Sequence, residues 1–170
     1  MTPIRIIAAL VLAAAIALPS AAQANSESRG SIVEVAKRAG VFETLIAAAT
    51  AAGFASDLQE VDGLTVFAPT DAAFAKLPPG TVEDLLKPAN RDRLRAIIAY
   101  HILPVRVPAA RVPTRPVLAE TLNGCERVRV VRRGTSVAVD GVRVARANVR
   151  ASNGIIHIID EVLLPARGCP

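Results

Sequence analysis

The stretch from Ala151 to Pro165 constrains the fold more than any other part of this chain, because it holds a long apolar run with a histidine inside it. Asn153-Gly154 is a turn dipeptide, since both residues tolerate a positive φ. Four isoleucines then surround His157 in a β-prone run. A histidine buried in such a run needs a hydrogen-bond partner. The segment therefore predicts a buried strand that ends the domain.

The first 24 residues have the features of a secretory signal peptide. Arg5 supplies a positive charge, residues 6–18 form an apolar run too short to span a membrane, and Ala22-Gln23-Ala24 offers a cleavage site. We expect cleavage after Ala24 and export by the Sec route to the periplasm or the exterior, with a retained N-terminal anchor as the alternative. Residues 25–30 are then a short flexible N-terminus, and the mature protein is not expected to span a membrane.

The order of the predicted elements is helices first and strands second. Ser31 and Glu34 form a capping box that begins a helix, and Gly40 ends it. Further apolar periodicities predict helical segments and two strands. The first of these are helices at 42–52 and 55–59, followed by a strand at 64–68. Three more helices come next: a short one that carries Phe74, a second that begins at Thr81 and a third over 91–99. A strand at 100–103 follows them. This order indicates an α+β domain rather than a parallel βαβ array.

After a proline-rich connector, the chain has the pattern of an antiparallel meander. Val128 and Val130 alternate with arginines, and Asp140-Gly141 is a two-residue hairpin turn. The segment 101–150 contains ten arginines and three acidic residues. These arginines have two interpretations, a solvated outer strand face or a surface that attracts polyanions. Nucleic acid is not an expected partner, because no aromatic stacking platform accompanies them.

The sequence contains two cysteines, Cys125 and Cys169. In an exported protein one pair predicts one disulfide, which would close a loop of about 45 residues and stabilise the fold by roughly 4 kcal/mol. Metal binding is the weaker alternative, because no C-x-x-C motif or histidine cluster accompanies the cysteines. We therefore expect a disulfide and no metal or other cofactor.

Three motifs together resemble the fasciclin (FAS1) domain family. Residues 65–74 are similar to its first signature, and residues 152–165 are similar to its second signature. Between them, Tyr100-His101 followed by Ile102-Leu103-Pro104 is similar to its central Tyr-His motif. The resemblance covers about 31–166, leaving 167–170 as a tail that carries Cys169. It implies an α+β fold with a wedge-shaped β-sandwich core and a cluster of N-terminal helices. It also implies an extracellular adhesion module.

The motif residues have predicted structural roles. Thr70 and Asp71 are expected to accept hydrogen bonds from the short helix that carries Phe74, and Phe67 and Phe74 are expected in the core. We hypothesise that His157 bonds Thr70, Asp71 or nearby backbone and so pins the two signatures together. The full set of motif positions is Thr65, Phe67, Pro69, Thr70, Asp71, Phe74, Asn153, Gly154, His157 and Asp160.

The Tyr-His motif has two interpretations. Strand alternation from 100 to 103 would place Tyr100 and Ile102 on one face and His101 and Leu103 on the other. His101 is then either a satisfied core histidine or a residue that contacts a partner directly. The candidate partner-binding residues are Tyr100, His101, Arg127, Arg129, Arg132, Arg133 and Arg143.

The sequence favours a non-enzymatic module that binds an extracellular or envelope protein or a glycan. His101 and His157 are the only histidines, and no nucleophile motif accompanies them. The alternative function is binding of an acidic polysaccharide or a small ligand through the arginine-rich face. We expect a monomer or a weak dimer.

Overall fold

A computed structural model describes residues 30–165, which form helices packed on one seven-stranded sheet. The predicted signal peptide, most of the expected N-terminal segment and the tail from residue 166 lie outside the described residues. The helices are α1 (Ile32–Ala39), α2 (Glu43–Ala52), α3 (Asp57–Glu60), α4 (Asp71–Phe74), α5 (Thr81–Leu85) and α6 (Arg91–Tyr100). The strands are β1 (Leu64–Pro69), β2 (Ile102–Leu103), β3 (Val117–Glu120), β4 (Arg127–Arg133), β5 (Ser136–Val139), β6 (Val142–Arg150) and β7 (Gly154–Ile159).

Helix α1 begins and ends where its capping residues predict. The Ser31 N–H donates to the Glu34 carboxylate at 2.8 Å, and the Glu34 N–H donates to the Ser31 hydroxyl at 3.3 Å. These reciprocal bonds satisfy two N–H groups that the first turn of a helix leaves without intrahelical partners. Gly40 ends the helix in the left-handed region with φ of 67°. The predicted capping box is therefore confirmed.

The centre of the sheet is a parallel pair of strands, β1 and β7. Their ladder runs from Leu64 opposite Gly154 to Pro69 opposite Ile159. Side chains on both faces of this pair are buried, as is usual for parallel strands. The predicted buried strand at the end of the domain is confirmed, and its neighbour is the strand of the first signature.

The two faces of the central pair belong to two hydrophobic cores. Val66 and Ile156 face the helices and pack with the apolar sides of α1, α2 and α6. Phe67 and Ile159 face the opposite way and pack with inward valines of β4 and β5. Because the far strands of the sheet cover a face of its own centre, the sheet bends into the expected sandwich-like wedge. The helices cover the other face, in agreement with the expected α+β class.

Strands β3 to β7 form the antiparallel meander that the sequence predicts, and the order across the whole sheet is β2-β1-β7-β6-β5-β4-β3. The β5–β6 turn has φ of 49° at Asp140 and 88° at Gly141. Two consecutive positive φ values match the right-handed twist of the flanking strands, which is why an Asp-Gly pair favours this hairpin. The hairpin prediction is confirmed.

The predicted strand from 100 to 103 is wrong in its first half. Helix α6 continues through Tyr100, His101 is its C-cap residue, and only Ile102 and Leu103 are extended. A short apolar run does not distinguish a buried helix end from a buried strand, and here packing of α6 decides. All four side chains are buried. Tyr100 and Leu103 pack in the core on the strand side and Ile102 packs in the core on the helix side, so the expected pairing of Tyr100 with Ile102 on one face does not occur.

Candidate functional site

The central strand pair brings the three sequence motifs into contact. Thr65 in the first signature lies opposite Leu103 of β2 and opposite Ile155 of β7. Phe67 lies opposite His157, and their rings stack with centroids 5.7 Å apart. The motifs therefore form one continuous structural unit, although long stretches of chain separate them.

Thr65 attaches the proline-rich connector to this unit. Its hydroxyl donates to the Val105 carbonyl at 2.6 Å and accepts from the Val107 N–H at 2.9 Å. The side chain is fully buried, and both hydrogen-bonding functions of the hydroxyl are used. Sequence reasoning gave Thr65 only a motif position, because a threonine in a strand is ordinary and its partners lie about 40 residues away.

Thr70 and Asp71 cap two different helices. Thr70 accepts from the Ala73 N–H at 3.3 Å and caps α4, as predicted. The predicted role of Asp71 is wrong, because its carboxylate accepts from the N–H groups of Thr44 at 2.8 Å and Glu43 at 3.3 Å. These residues begin α2, whose own N-cap position makes no side-chain bond. Burial opposes ionisation of Asp71, but the bonds from Thr44 and Glu43 outweigh it and hold its pKa below the ordinary value.

His157 is a structural brace with a different partner from the one predicted. Its Nε2–H donates to the Val107 carbonyl at 2.9 Å, and its Nδ1 accepts from the Asn148 N–H at 3.4 Å. Because the backbone N–H must be the donor, these bonds assign a neutral ring with the proton on Nε2. Burial lowers the pKa of His157. The predicted bond to Thr70 or Asp71 is wrong: Thr70 caps α4 and Asp71 caps α2.

His101 is also neutral, and both of its ring nitrogens bond backbone groups. Its Nδ1–H donates to the Ile97 carbonyl at 2.8 Å, and its Nε2 accepts from the Leu163 N–H at 3.0 Å. The residue is 1% exposed, and burial lowers its pKa to about 4 against the opposing bond to Ile97. His101 is therefore a satisfied core histidine that fixes the segment after β7 to the end of α6.

Tyr100 ties α6 to the meander. Its hydroxyl donates to the Asp140 carboxylate at 2.7 Å, and the other carboxylate oxygen accepts from the Arg129 N–H at 2.7 Å. Burial, followed by the bond and the charge of Asp140, raises the pKa of Tyr100. The side chain is only 5% exposed. Direct partner contact by Tyr100 and His101 therefore does not fit this structure.

Asn153 joins the start of α1 to the end of α3. Its Oδ1 accepts from the Ile32 N–H at 2.9 Å, while its Nδ2 donates to the carbonyls of Leu58, Gln59 and Val61 at 2.9, 3.3 and 3.1 Å. The residue is 4% exposed. Sequence reasoning missed this role, although a buried amide beside a strand signals that its donors and acceptor have partners.

Gly154 is required by close packing rather than by a turn. Neither Asn153 nor Gly154 has a positive φ, so the predicted reason for this dipeptide is wrong. A Cβ atom on Gly154 would lie 2.5 Å from the Leu64 carbonyl oxygen and 2.7 Å from Cδ1 of Ile32. Glycine thus lets β7, β1 and α1 approach each other.

The remaining motif residues have simpler environments. Pro69 and Phe74 are buried, and Phe74 packs with the helix-side core. The predictions that Phe67 and Phe74 belong to the core are confirmed. Asp160 is exposed at the bend that follows β7.

The candidate arginines separate into two groups. Arg132 is half-buried, and its guanidinium donates to the carbonyls of Val112 at 3.1 Å and Gly134 at 3.0 Å. It therefore anchors the end of β4 to the connector, which makes it a poor candidate for partner contact. The other four candidates are exposed on the outside of the meander and are called the outer arginine face: Arg127, Arg129, Arg133 and Arg143.

Cys125 lies exposed in the turn between β3 and β4. Cys169 lies outside the described residues, so the disulfide between them stays a prediction. Within residues 30–165, no group of three or more His, Cys, Asp or Glu side chains is arranged to hold a metal ion. No helix of the same range has the length and apolarity needed to cross a membrane.

A cavity of about 40 Å³ lies between α1, α2 and the sheet. Its lining is apolar apart from Thr50 and His101. The Thr50 hydroxyl donates to the Ile46 carbonyl of its own helix, and both ring nitrogens of His101 are bonded to backbone. The cavity therefore lacks the converging polar groups that orient a reacting molecule.

Comparison with known proteins agrees with this architecture. Residues 40–165 match the model of the Fasciclin domain. Protein sll1483 of Synechocystis is 46% identical over 143 residues, which are 84% of this chain and 78% of that protein. Immunogenic protein MPB70 of Mycobacterium bovis is 39% identical over 102 residues, 59% of this chain and 49% of its own.

A longer relative and a solved structure share the same unit. Transforming growth factor-beta-induced protein ig-h3 of Sus scrofa is 33% identical over 141 residues, which are 83% of this chain but only 20% of that protein. The structure of a FAS1 domain pair from the insect cell adhesion molecule fasciclin I superposes with a TM-score of 0.56 and 23% identity. It covers 77% of this chain and 46% of the insect chain, and at this identity the likeness concerns the fold. The chain belongs to the Fasciclin domain family.

Proposed function

We propose that this chain is an exported, non-enzymatic adhesion module that binds an extracellular or envelope protein or glycan. The proposal rests on one observation: the polar atoms of the motif side chains form hydrogen bonds within the fold. This holds for His101, His157, Tyr100 and Asp71. The motifs therefore build a scaffold, and binding is left to its surface.

Two further features support this function. The signal peptide expected in residues 1–24 would direct the chain out of the cytoplasm, and the disulfide predicted between Cys125 and Cys169 would suit that compartment. The insect protein with the matching fold is a cell adhesion molecule. The proposed location is the periplasm or the exterior, and the proposed state is a monomer or weak dimer.

Export is tested by expressing the full chain and a chain that lacks residues 1–24. The full chain should be recovered outside the cytoplasm with Asn25 at its N-terminus, whereas the shortened chain should stay inside. Mass spectrometry of the exported protein without reductant should show the Cys125–Cys169 peptide pair. Recovery of the full chain only in the cytoplasm, with residues 1–24 attached, would contradict export.

Adhesion is tested with beads coated with residues 25–170. These beads should be retained on cells or on immobilised envelope and matrix material, and beads coated with the denatured, alkylated chain should not. Equal retention of both kinds of bead would refute a specific adhesive surface. Hydrolysis of ester, peptide or glycoside substrates that disappears in a folded His101→Gln or His157→Gln variant would instead indicate an enzyme.

A further inference from the structure

The outer arginine face has a regular geometry set by strand register. Val131 lies opposite Ala138, which lies opposite Arg143, so these three positions form a row across β4, β5 and β6. Arg129 and Arg133 lie two positions before and after Val131 on the same side of β4. From strand spacings, the Cα atoms of Arg129 and Arg133 are about 13 Å apart, and that of Arg143 is about 10 Å from Val131.

Short side chains form the floor between these arginines. Val131, Ala138 and Ser136 are half-buried, and Ser136 lies directly opposite Arg133. None of them is long enough to rise between the guanidinium groups. Leu118 lies opposite Arg129 at the edge of the same face and is 60% exposed. The face is thus an open, shallow surface with charged groups around a smooth centre.

The charge of this face is poorly compensated within the fold. Glu120 forms an ion pair with Arg127 at 3.0 Å, and both side chains are largely exposed. The carboxylate of Asp140, at the nearby hairpin, instead bonds the Tyr100 hydroxyl and a backbone N–H. Among residues 30–165, Arg129, Arg133 and Arg143 form no ion pair, so three guanidinium groups remain available.

We propose that the outer arginine face binds a linear acidic polysaccharide that carries carboxylate or sulfate groups along its length. A guanidinium group binds either anion through two parallel N–H bonds. The Cα spacings among these three arginines, about 12 to 13 Å, exceed the size of one such anion, so a chain with repeated charges fits better than a single small ion. The exposed Leu118 offers an apolar contact for the face of a sugar ring.

Nucleic acid fits this face less well. Single-stranded nucleic acid is usually held by aromatic side chains on which bases stack. The outward positions of β3 to β6 carry no aromatic residue. The sole tyrosine and the phenylalanine of β1 point into the cores instead. This inference names a partner class for the proposed adhesion module and therefore rests on that function.

The test compares the mature chain, residues 25–170, with two triple variants. The test variant combines Arg129→Gln, Arg133→Gln and Arg143→Gln. The matched control removes the same charge from exposed helix positions through Arg38→Gln, Arg91→Gln and Arg93→Gln. Titration calorimetry with dextran sulfate, a polyuronate, neutral dextran and single-stranded DNA is carried out at several salt concentrations.

The unchanged chain should bind at least one of the two acidic polymers, more weakly as salt rises, and should ignore neutral dextran. The affinity of the test variant for the polymer should fall by at least about tenfold, which corresponds to the loss of about 1.4 kcal/mol of binding free energy. The affinity of the control should change by less than about twofold. Arg→Lys at the same three positions should retain part of the binding, because charge remains and the fork is lost. This milder variant also serves if the glutamine variant fails to fold.

Several results would overturn the proposal: no binding to either acidic polymer, equal loss in the control, unchanged binding in the test variant, or tighter binding of DNA. Bead retention separates this inference from the proposed function. If the test variant still adheres like the unchanged chain, the proposed adhesive function stands, but the outer arginine face is not the surface that mediates it. If the unchanged chain binds the polymers but never adheres to cells or matrix, the proposed function is wrong and the polymer site stands.

Discussion

Replacing Asn153 with alanine should destabilise the fold by removing one amide that serves two helices. The Ile32 N–H would stay buried without its acceptor, and three carbonyls at the end of α3 would lose their common donor. An orphaned buried donor costs about 1–3 kcal/mol, and carbonyls cost less because each has a second lone pair. We expect the free energy of unfolding to fall by about 3 kcal/mol.

Urea unfolding followed by circular dichroism measures this change, and the thermal midpoint should fall by roughly 10 °C for a domain of this size. Ser152→Ala is the control, because Ser152 is the exposed neighbour and should change stability by less than about 0.5 kcal/mol. An Asn153→Ala variant within that same range of the unchanged protein would refute the bridging role.

Asn153→Asp separates the acceptor from the donor. Oδ1 can still accept from Ile32, but a carboxylate oxygen would face the carbonyls of Leu58 and Val61. Burial among carbonyls should raise the folded-state pKa of this new carboxyl above its unfolded value. The stability deficit relative to the unchanged protein should therefore be small below about pH 4 and grow as pH rises. A deficit that does not change with pH would contradict this account.

Three further predictions concern groups whose surroundings are equally specific. Because the pKa of His101 is about 4 in the folded protein, the free energy of unfolding should fall as pH drops below about 6.5, by about 3 kcal/mol at pH 4. Urea unfolding of a folded His101→Gln variant should show a weaker dependence of stability on pH. Tyr100, the only tyrosine, should resist ionisation in the folded protein, so absorbance at the tyrosinate band should rise above pH 10 only when the protein unfolds. Gly154→Ala should cost about 2–3 kcal/mol by collision with Leu64, whereas Gly63→Ala, with φ of 82° and open space, should cost about 1 kcal/mol in the same assay.

Features determined by neighbouring residues could be predicted from the sequence. The capping box of α1 and the Asp140-Gly141 turn depend on interactions within a few residues, and both occur as expected. Alternation along β4 also predicted outward Arg127 and Arg129. In each case the stabilising bond or the steric preference lies inside the segment, so no knowledge of the rest of the fold is needed.

Features determined by distant contacts could not be predicted. Asp71 bonds residues 27 and 28 positions away, and His157 bonds a carbonyl 50 positions away. The Asp71 bonds depend on the packing of α4 against α2, and the His157 bond depends on the parallel pairing of β1 with β7; no local pattern encodes either contact. Tyr100 extends α6 because its ring is buried and its hydroxyl reaches Asp140, 40 positions later. The sequence thus identified the residues that matter but misassigned several of their partners.

The parallel pairing of β1 with β7 has a consequence for the order of folding. The two strands lie about 90 positions apart, so their contact closes most of the domain into one loop and carries a high entropic cost. The helices and the β4–β5–β6 hairpins can form locally before this closure, but both cores need side chains from β7. Synthesis must therefore reach the last strand before the interior can be completed. Until then, the edge of β1 that pairs with β7 is unpaired and can bind β7 of another copy of the chain.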